Sequence, residues 1–128
     1  MEPLEKEGME EKGLAHVVAA FGYSMAGLRF LLKEEAARLE IVLFLAAVAL
    51  FAVCGVAFWQ WAVLVGLFVW LLMVEAINTA IELIVDRTSP EISAFGKHTK
   101  DLGSFAVFCS LVIFCGYTLV TAGLVLTG

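Results

Sequence analysis

Three long segments of the chain are apolar, and the charged residues are confined to the stretch before the first segment, the end of the second segment and the connection that follows it. Every Asp, Glu, Lys and Arg falls before position 41 or between positions 75 and 101. The uncharged run 41–58, as a helix rising about 1.5 Å per residue, is just long enough to cross a hydrocarbon layer of about 30 Å. The pattern predicts transmembrane helices over about 38–58, 61–86 and 102–126.

Residues 14–33 show a different pattern, in which apolar positions recur at helical spacing with polar positions between them. Leu14, Phe21 and Leu28 belong to the apolar set, and His16 and Arg29 interrupt it. This spacing predicts an amphipathic helix lying in the membrane interface. The acidic residues 1–12 are expected to form a disordered tail, and residues 13–128 a single membrane domain.

The connections follow from turn formers and aromatic residues. Trp59-Gln60-Trp61 suits a tight turn at the headgroup level, where water can hydrate the polar edge of an indole ring. Thr88-Ser89-Pro90 and Gly96 predict a loop from about Arg87 to Asp101. All basic residues lie on the side of the amino terminus and this loop. The positive-inside rule therefore makes that side cytoplasmic and the carboxyl terminus outward.

Composition agrees with a membrane protein. The chain is 62% hydrophobic and 16% charged, whereas soluble domains have about 45–50% apolar and about 25% charged residues. These values exclude a disordered chain and a disulfide scaffold. The net charge of −5 disfavours nucleic acid as a partner, although residues 1–11, with five Glu and one Lys, supply most of it. Cys54, Cys109 and Cys115 lie in apolar runs and show no metal-ligand spacing.

Polar residues enter the second predicted span on one side only and form a stripe. Glu82 and Asp86 each lie about 20° from Glu75 around a helix, on opposite sides of it, and Asn78 lies on the same face. An ionisable side chain at a helix centre costs about 2.5–3.5 kcal/mol, so such residues face a protein interior or a watery cavity and mark function. Three members of the stripe allow a simpler role: Glu82 and Asp86 could be solvated near the headgroups, and Asn78 could serve only in packing.

Two charged clusters, residues 33–40 and 97–101, lead into the first and third spans on the cytoplasmic side. Each is explained either by ordinary interfacial anchoring or as a partner of the stripe on the second span. A small cation cannot be shared by Glu75 and Glu82, which are about 10 Å apart along one helix, so we expect Glu34 with Glu82. The chain has no glycine-rich phosphate loop, protein-kinase motif set or nucleophile elbow.

Four sequence blocks together resemble the prokaryotic integral-membrane diacylglycerol kinases. The blocks are E-A-I-N-T-A-I-E-L-I-V-D-R at 75–87, G-Y-S-M-A-G-L-R at 22–29, E-E-A-A-R-L-E at 34–40 and K-D-L-G-S at 100–104. The resemblance implies a homotrimer in the bacterial inner membrane, with three transmembrane helices and one interfacial helix per subunit. It also implies ATP-dependent phosphorylation of diacylglycerol to phosphatidic acid with Mg²⁺ as cofactor.

The same resemblance implies roles for individual residues. Glu75 is expected to be the general base, supported by Asn78, and Glu34 and Glu82 to hold the metal. The nucleotide contacts implied are Lys100 and Asp101, with weaker ones from Tyr23, Asp86 and Glu91. The substrate-side or supporting positions implied are His16, Ser24, Arg29, Glu40 and Ser104.

Two departures from the family pattern and three alternative functions accompany this hypothesis. His16 stands where the family commonly has Arg, and a segment one residue shorter leaves Glu35 as an alternative to Glu34 as metal ligand. The nearest alternative activity is an undecaprenol kinase of the same family. A small proton- or ion-coupled transporter and an assembly factor without chemistry would also account for carboxylates in a membrane helix.

Overall fold

The computed structural model describes residues 13–128, and in that range helices are the only regular secondary structure. The helices are α1 (Leu14–Leu31), α2 (Glu35–Cys54), α3 (Phe58–Thr88) and α4 (Ala94–Thr127). The predicted all-α class is confirmed, and each of the four helices is long and apolar enough to cross a membrane. The acidic tail predicted for residues 1–12 lies outside the described range.

The turn between α2 and α3 differs from the prediction. Trp59-Gln60-Trp61 is not a turn, because the chain reverses before it, at residues 55–57. Gly55 ends α2 in the left-handed region, at φ 70° and ψ 48°, which glycine adopts without steric cost. The Ala57 N–H then donates to Gln60 Oε1 at 2.8 Å and closes the first turn of α3. The two tryptophans therefore lie in the first turn of a helix.

The connection between α3 and α4 is shorter than predicted. Helix α3 continues to Thr88 and α4 begins at Ala94, so the charged residues 97–101 are helical and only residues 89–93 form the loop. Ser93 Oγ accepts a hydrogen bond from the Gly96 N–H at 3.0 Å and thereby caps α4. Gly96, predicted to lie in the loop, is buried within α4. The charged residues 97–101 are consequently held on a helix.

The apolar core lies between α2, α3 and α4, in the half of the bundle near the α2–α3 turn. Phe51, Leu64, Leu71 and Phe114 are fully buried there. Helices α3 and α4 make the most extensive contact of any helix pair. The Tyr117 hydroxyl donates to the Gln60 carbonyl at 2.8 Å and so joins α4 to the start of α3. This arrangement leaves the opposite half of the bundle to the polar residues.

Helix α1 packs sparsely against the other three. Leu31, at its end, is its only buried residue, and Leu14 is 80% exposed. An apolar cleft of about 740 Å³ separates α1 from α3 and is lined by Ser24 and Thr79 among apolar side chains. Helix α1 is thus placed beside the bundle and is not a member of it.

Candidate functional site

A cluster of polar side chains is buried between α2 and α3, in the half of the bundle away from the apolar core. Glu40 and Glu75 are each 4% exposed and Asn78 is 7% exposed. The carboxyl groups of Glu40 and Glu75 lie close enough to interact. Glu40 Oε2 is fully buried and has no hydrogen-bond partner within residues 13–128. Glu40, expected from the sequence on the substrate side or in support, therefore sits beside the predicted general base.

Asn78 connects the buried part of the cluster to Glu82. Its Nδ2 donates to Glu82 Oε1 at 3.3 Å, one helical turn further along α3. Its Oδ1 is completely buried and accepts no hydrogen bond in the described part of the chain. One oxygen of Glu82 is thus occupied by Asn78, and the other is available to a ligand.

The two predicted metal ligands flank this cluster. Glu34 is half-buried at the start of α2, and its side chain does not cap the helix. Glu34 and Glu82 both lie near enough to Glu75 for their charges to act on it. Glu35, the alternative ligand, is exposed in the first turn of α2. The structure therefore groups Glu34 with the buried carboxylates.

The donor set suits Mg²⁺ bound together with a nucleotide. Within residues 13–128, no group of three or more His, Cys, Asp or Glu side chains is placed to hold a metal ion by itself. Mg²⁺ is usually bound through one or two carboxylates, with substrate phosphates and water completing its octahedron. Two carboxylates with free oxygens at the edge of a buried cluster fit that requirement.

A second polar region lies at the end of α3 and the start of α4. The Lys100 ammonium donates to Asp86 Oδ1, and Lys97 Nζ lies 2.5 Å from Asp101 Oδ2. Lys100 precedes the apolar part of α4, and its hydrogen bond to Asp86 raises the pKa of its ammonium group above the ordinary value. Asp86, Lys100 and Glu91 line a small cavity of about 210 Å³. Three residues expected to contact the nucleotide are therefore brought together.

The remaining predicted residues are not brought to the acidic cluster. The side chains of His16, Tyr23, Ser24 and Arg29 are all exposed on α1. Ser24 Oγ donates to the Ala20 carbonyl at 3.1 Å, within its own helix. Ser104 is exposed on α4. No ion pair in the described range links α1 to α2, α3 or α4.

Two features of the site were not singled out from the sequence. Gly103, inside the K-D-L-G-S block, packs directly on Asn78. Ser89 Oγ donates to Glu91 Oε1 at 3.0 Å and lies 2.8 Å from Ser93 Oγ, which orders the short loop. A glycine inside a helix costs stability relative to alanine, so its presence calls for a reason such as close packing, which could have drawn attention to Gly103.

The fold and the site define a helical membrane protein that buries ionisable groups beside a lysine-lined polar cavity. A family model described as prokaryotic diacylglycerol kinase matches residues 22–122. The chain belongs to this family, and it is an enzyme. The predicted ATP-dependent phosphorylation of diacylglycerol is confirmed at the level of the family.

Individual relatives agree with the family assignment. A diacylglycerol kinase from Sinorhizobium sp is 44% identical over 124 residues, which cover 94% of this chain and 88% of the relative. The diacylglycerol kinase of Pseudomonas aeruginosa is 34% identical, with coverage of 80% and 85%. That of Escherichia coli strain K12 is 34% identical, with coverage of 79% and 84%. The similarity extends over most of each chain.

Proposed function

We propose that the acidic cluster on α2 and α3 is the phosphotransfer site, with Glu75 as general base. The observation that carries this proposal is the depth order along one face of α3. Glu75 is buried within the bundle, Glu82 is half-buried, and Asp86 is exposed beside Lys100. Each is separated from the next by one to two helical turns. A lipid hydroxyl approaching from the membrane and a nucleotide approaching from water would meet along this face.

Glu75 accepts the proton of the diacylglycerol hydroxyl as that oxygen attacks the terminal phosphorus of ATP; the bond from this phosphorus to the bridging oxygen breaks, and ADP leaves with that oxygen. A general base must lie within hydrogen-bond reach of the proton that it removes, and burial keeps water from competing for that position. Glu40 lies beside Glu75 and orients its carboxylate. Phosphoryl transfer asks mainly for positioning and neutralisation of charge, so a glycine-rich loop is not required.

Glu34 and Glu82 would hold Mg²⁺ together with the phosphates of ATP. When bound, the cation neutralises the charge on the transferring phosphoryl group and orients it. Asn78 holds one oxygen of Glu82 and so directs the other oxygen outward. The other oxygen of Glu82 on α3 and the carboxylate of Glu34, just before α2, would then be the protein ligands.

The polar cavity at the start of α4 receives the nucleotide. Lys100 supplies a positive charge to the phosphates, and Asp86 keeps its ammonium in place while the cavity is empty of substrate. Asp101 also contacts the nucleotide, and Asp86, Glu91 and Tyr23 contribute weaker contacts. The substrate-side or supporting residues on α1 and α4 are His16, Ser24, Arg29 and Ser104.

Three helices span the bacterial inner membrane, and α1 lies in its cytoplasmic interface. Helices α3 and α4, of 31 and 34 residues, are about 46 and 51 Å long, so both exceed the hydrocarbon layer of about 30 Å. Their charged ends therefore protrude together, on the side that the positive-inside rule makes cytoplasmic. The amino terminus shares this side, and the carboxyl terminus faces outward.

The active assembly is a homotrimer. Glu82 is only half-buried in one chain, and large apolar side chains such as Phe105 and Phe108 of α4 remain exposed. Packing between subunits would enclose the polar face of α3 more completely than one bundle does. Chemical cross-linking in a mild detergent is expected to yield a trimeric band, and recovery of monomers alone would contradict the proposal.

The proposed site is tested by lipid-dependent ATP consumption with purified protein in mixed micelles. Glu75→Gln removes the base but keeps the size of the side chain, and is expected to lower kcat by about 10²–10⁴-fold. Glu34→Gln is expected to raise the Mg²⁺ concentration at half-maximal rate, whereas the matched variant Glu35→Gln leaves it unchanged. Undecaprenol in place of diacylglycerol is the control lipid.

Three results would contradict the proposal. The base would have to be reassigned if Glu75→Gln kept more than a tenth of the wild-type kcat. The ligand would have to be reassigned if Glu35→Gln altered the Mg²⁺ dependence and Glu34→Gln did not. The diacylglycerol specificity would be wrong if undecaprenol were phosphorylated as fast or faster.

A further inference from the structure

We propose that Gly103 is a positioning residue for phosphoryl transfer, because its missing side chain forms the slot that seats the Asn78 amide. The slot holds Asn78 in the orientation in which it donates to Glu82. Gly103 would thus act through Asn78 on a residue proposed to hold the metal. The inference rests on the role proposed above for Glu82.

The contact between Gly103 and Asn78 is unusually close. A Cβ added to Gly103 would lie 2.2 Å from Asn78 Oδ1 and 3.3 Å from Asn78 Cγ, and the first distance is far inside van der Waals contact. The same addition at Gly66, Gly116 or Gly123 would meet nothing within 4 Å. The absence of a side chain therefore has a specific use at position 103, where α3 and α4 pack together.

Asn78 has little freedom to yield to a larger residue. Its side chain is buried, and its Nδ2 is engaged with Glu82 at 3.3 Å. Its Oδ1 is buried without a hydrogen-bond partner in the described part of the chain and lies against the Gly103 backbone. A Cα–H group can provide a weak contact to such an oxygen. Rotation of the amide away from position 103 would move Nδ2 as well and break its bond to Glu82.

Loss of this bond would release Glu82 from its single orientation. Residues that orient metal ligands typically change metal affinity or activity by about 10–100-fold when they are mutated. The expected effect of Gly103→Ala is therefore a rise of about 10–100-fold in the Mg²⁺ concentration at half-maximal rate. Excess Mg²⁺ is expected to restore part of kcat, because Glu82 is displaced but still present.

The matched control is Gly116→Ala, which makes the same substitution in the same helix where space is open. Alanine is favoured over glycine inside a helix, so Gly116→Ala is expected to raise the resistance to unfolding slightly. Gly103→Ala is expected to lower the resistance to unfolding when Asn78 is present. It is expected to raise this resistance in the Asn78→Ala background, where the slot is empty. Denaturant unfolding in micelles, followed by circular dichroism, measures this reversal of sign without reference to activity.

The outcomes separate this inference from the proposed function. The inference would be overturned if Gly103→Ala and Gly116→Ala showed the same Mg²⁺ dependence. It would also be overturned if Gly103→Ala changed the free energy of unfolding equally with and without Asn78. Unaltered Mg²⁺ dependence of Glu82→Gln would instead overturn the proposed metal site, and the unfolding comparison would still decide whether the slot exists. If Gly103→Ala cannot be recovered folded, recovery of the double variant with Asn78→Ala supports the slot, and its loss contradicts it.

Discussion

Replacement of Phe51 by alanine tests whether the bundle is held together by packing at the end away from the site. Phe51 is fully buried between α2, α3 and α4. Its ring meets Trp61 edge-on, with centroids 5.6 Å apart, and Tyr117 at 6.0 Å. The substitution removes both aromatic contacts and leaves a cavity between three helices.

The magnitude follows from these contacts and from the membrane environment. A buried Phe→Ala change typically costs about 3–5 kcal/mol in soluble proteins. Lipid is as apolar as the core, so transfer from water contributes less here and lost packing dominates. Two aromatic pairs, at about 0.5–1.5 kcal/mol each, and the cavity together place the loss near the lower end, at about 3 kcal/mol.

The assay is denaturant unfolding in detergent micelles, with Phe58→Ala as the matched control. Phe58 is 88% exposed at the start of α3, so its removal is expected to change the free energy of unfolding little. Phe51→Ala should also keep a near wild-type KM for ATP, because the core and the polar cavity lie at opposite ends of the bundle. If both variants lost the same free energy of unfolding, the assignment of the core to Phe51 would be refuted.

Three further variants test different contacts. Lys100→Gln is expected to lower kcat/KM for ATP by about 10²–10³-fold. The free energy of unfolding should stay unchanged, because a partly exposed ion pair stabilises little. Arg87→Gln is the control, and equal kinetics of the two variants would refute the role of Lys100. Tyr117→Phe removes the donor that α4 supplies to the Gln60 carbonyl and should cost about 1 kcal/mol in unfolding, with no loss arguing against that bond. Ser93→Ala removes the cap of α4 and should also cost about 1 kcal/mol, and an undiminished helix signal and stability would show that another group begins the helix.

Features that depend on neighbours along the chain could be predicted from the sequence. The apolar runs predict helices where α2, α3 and α4 lie, because a helix satisfies its own backbone hydrogen bonds. The alignment of Glu75, Asn78 and Glu82 also follows from helical geometry alone. The ends of the helices were less accurately predicted, because single hydrogen bonds to the side chains of Gln60 and Ser93 decide where α3 and α4 begin.

Contacts between distant parts of the chain were decided by the tertiary structure. The burial of Glu40 beside Glu75 depends on the packing of α2 against α3, and no local pattern specifies that register. Likewise, Gly103 meets Asn78 only because α4 returns along α3 at close range. The sequence by itself thus determined which residues share a helix face, since helical spacing is local. Only the packed bundle decided which faces meet, because that choice depends on the shapes of side chains from all the helices.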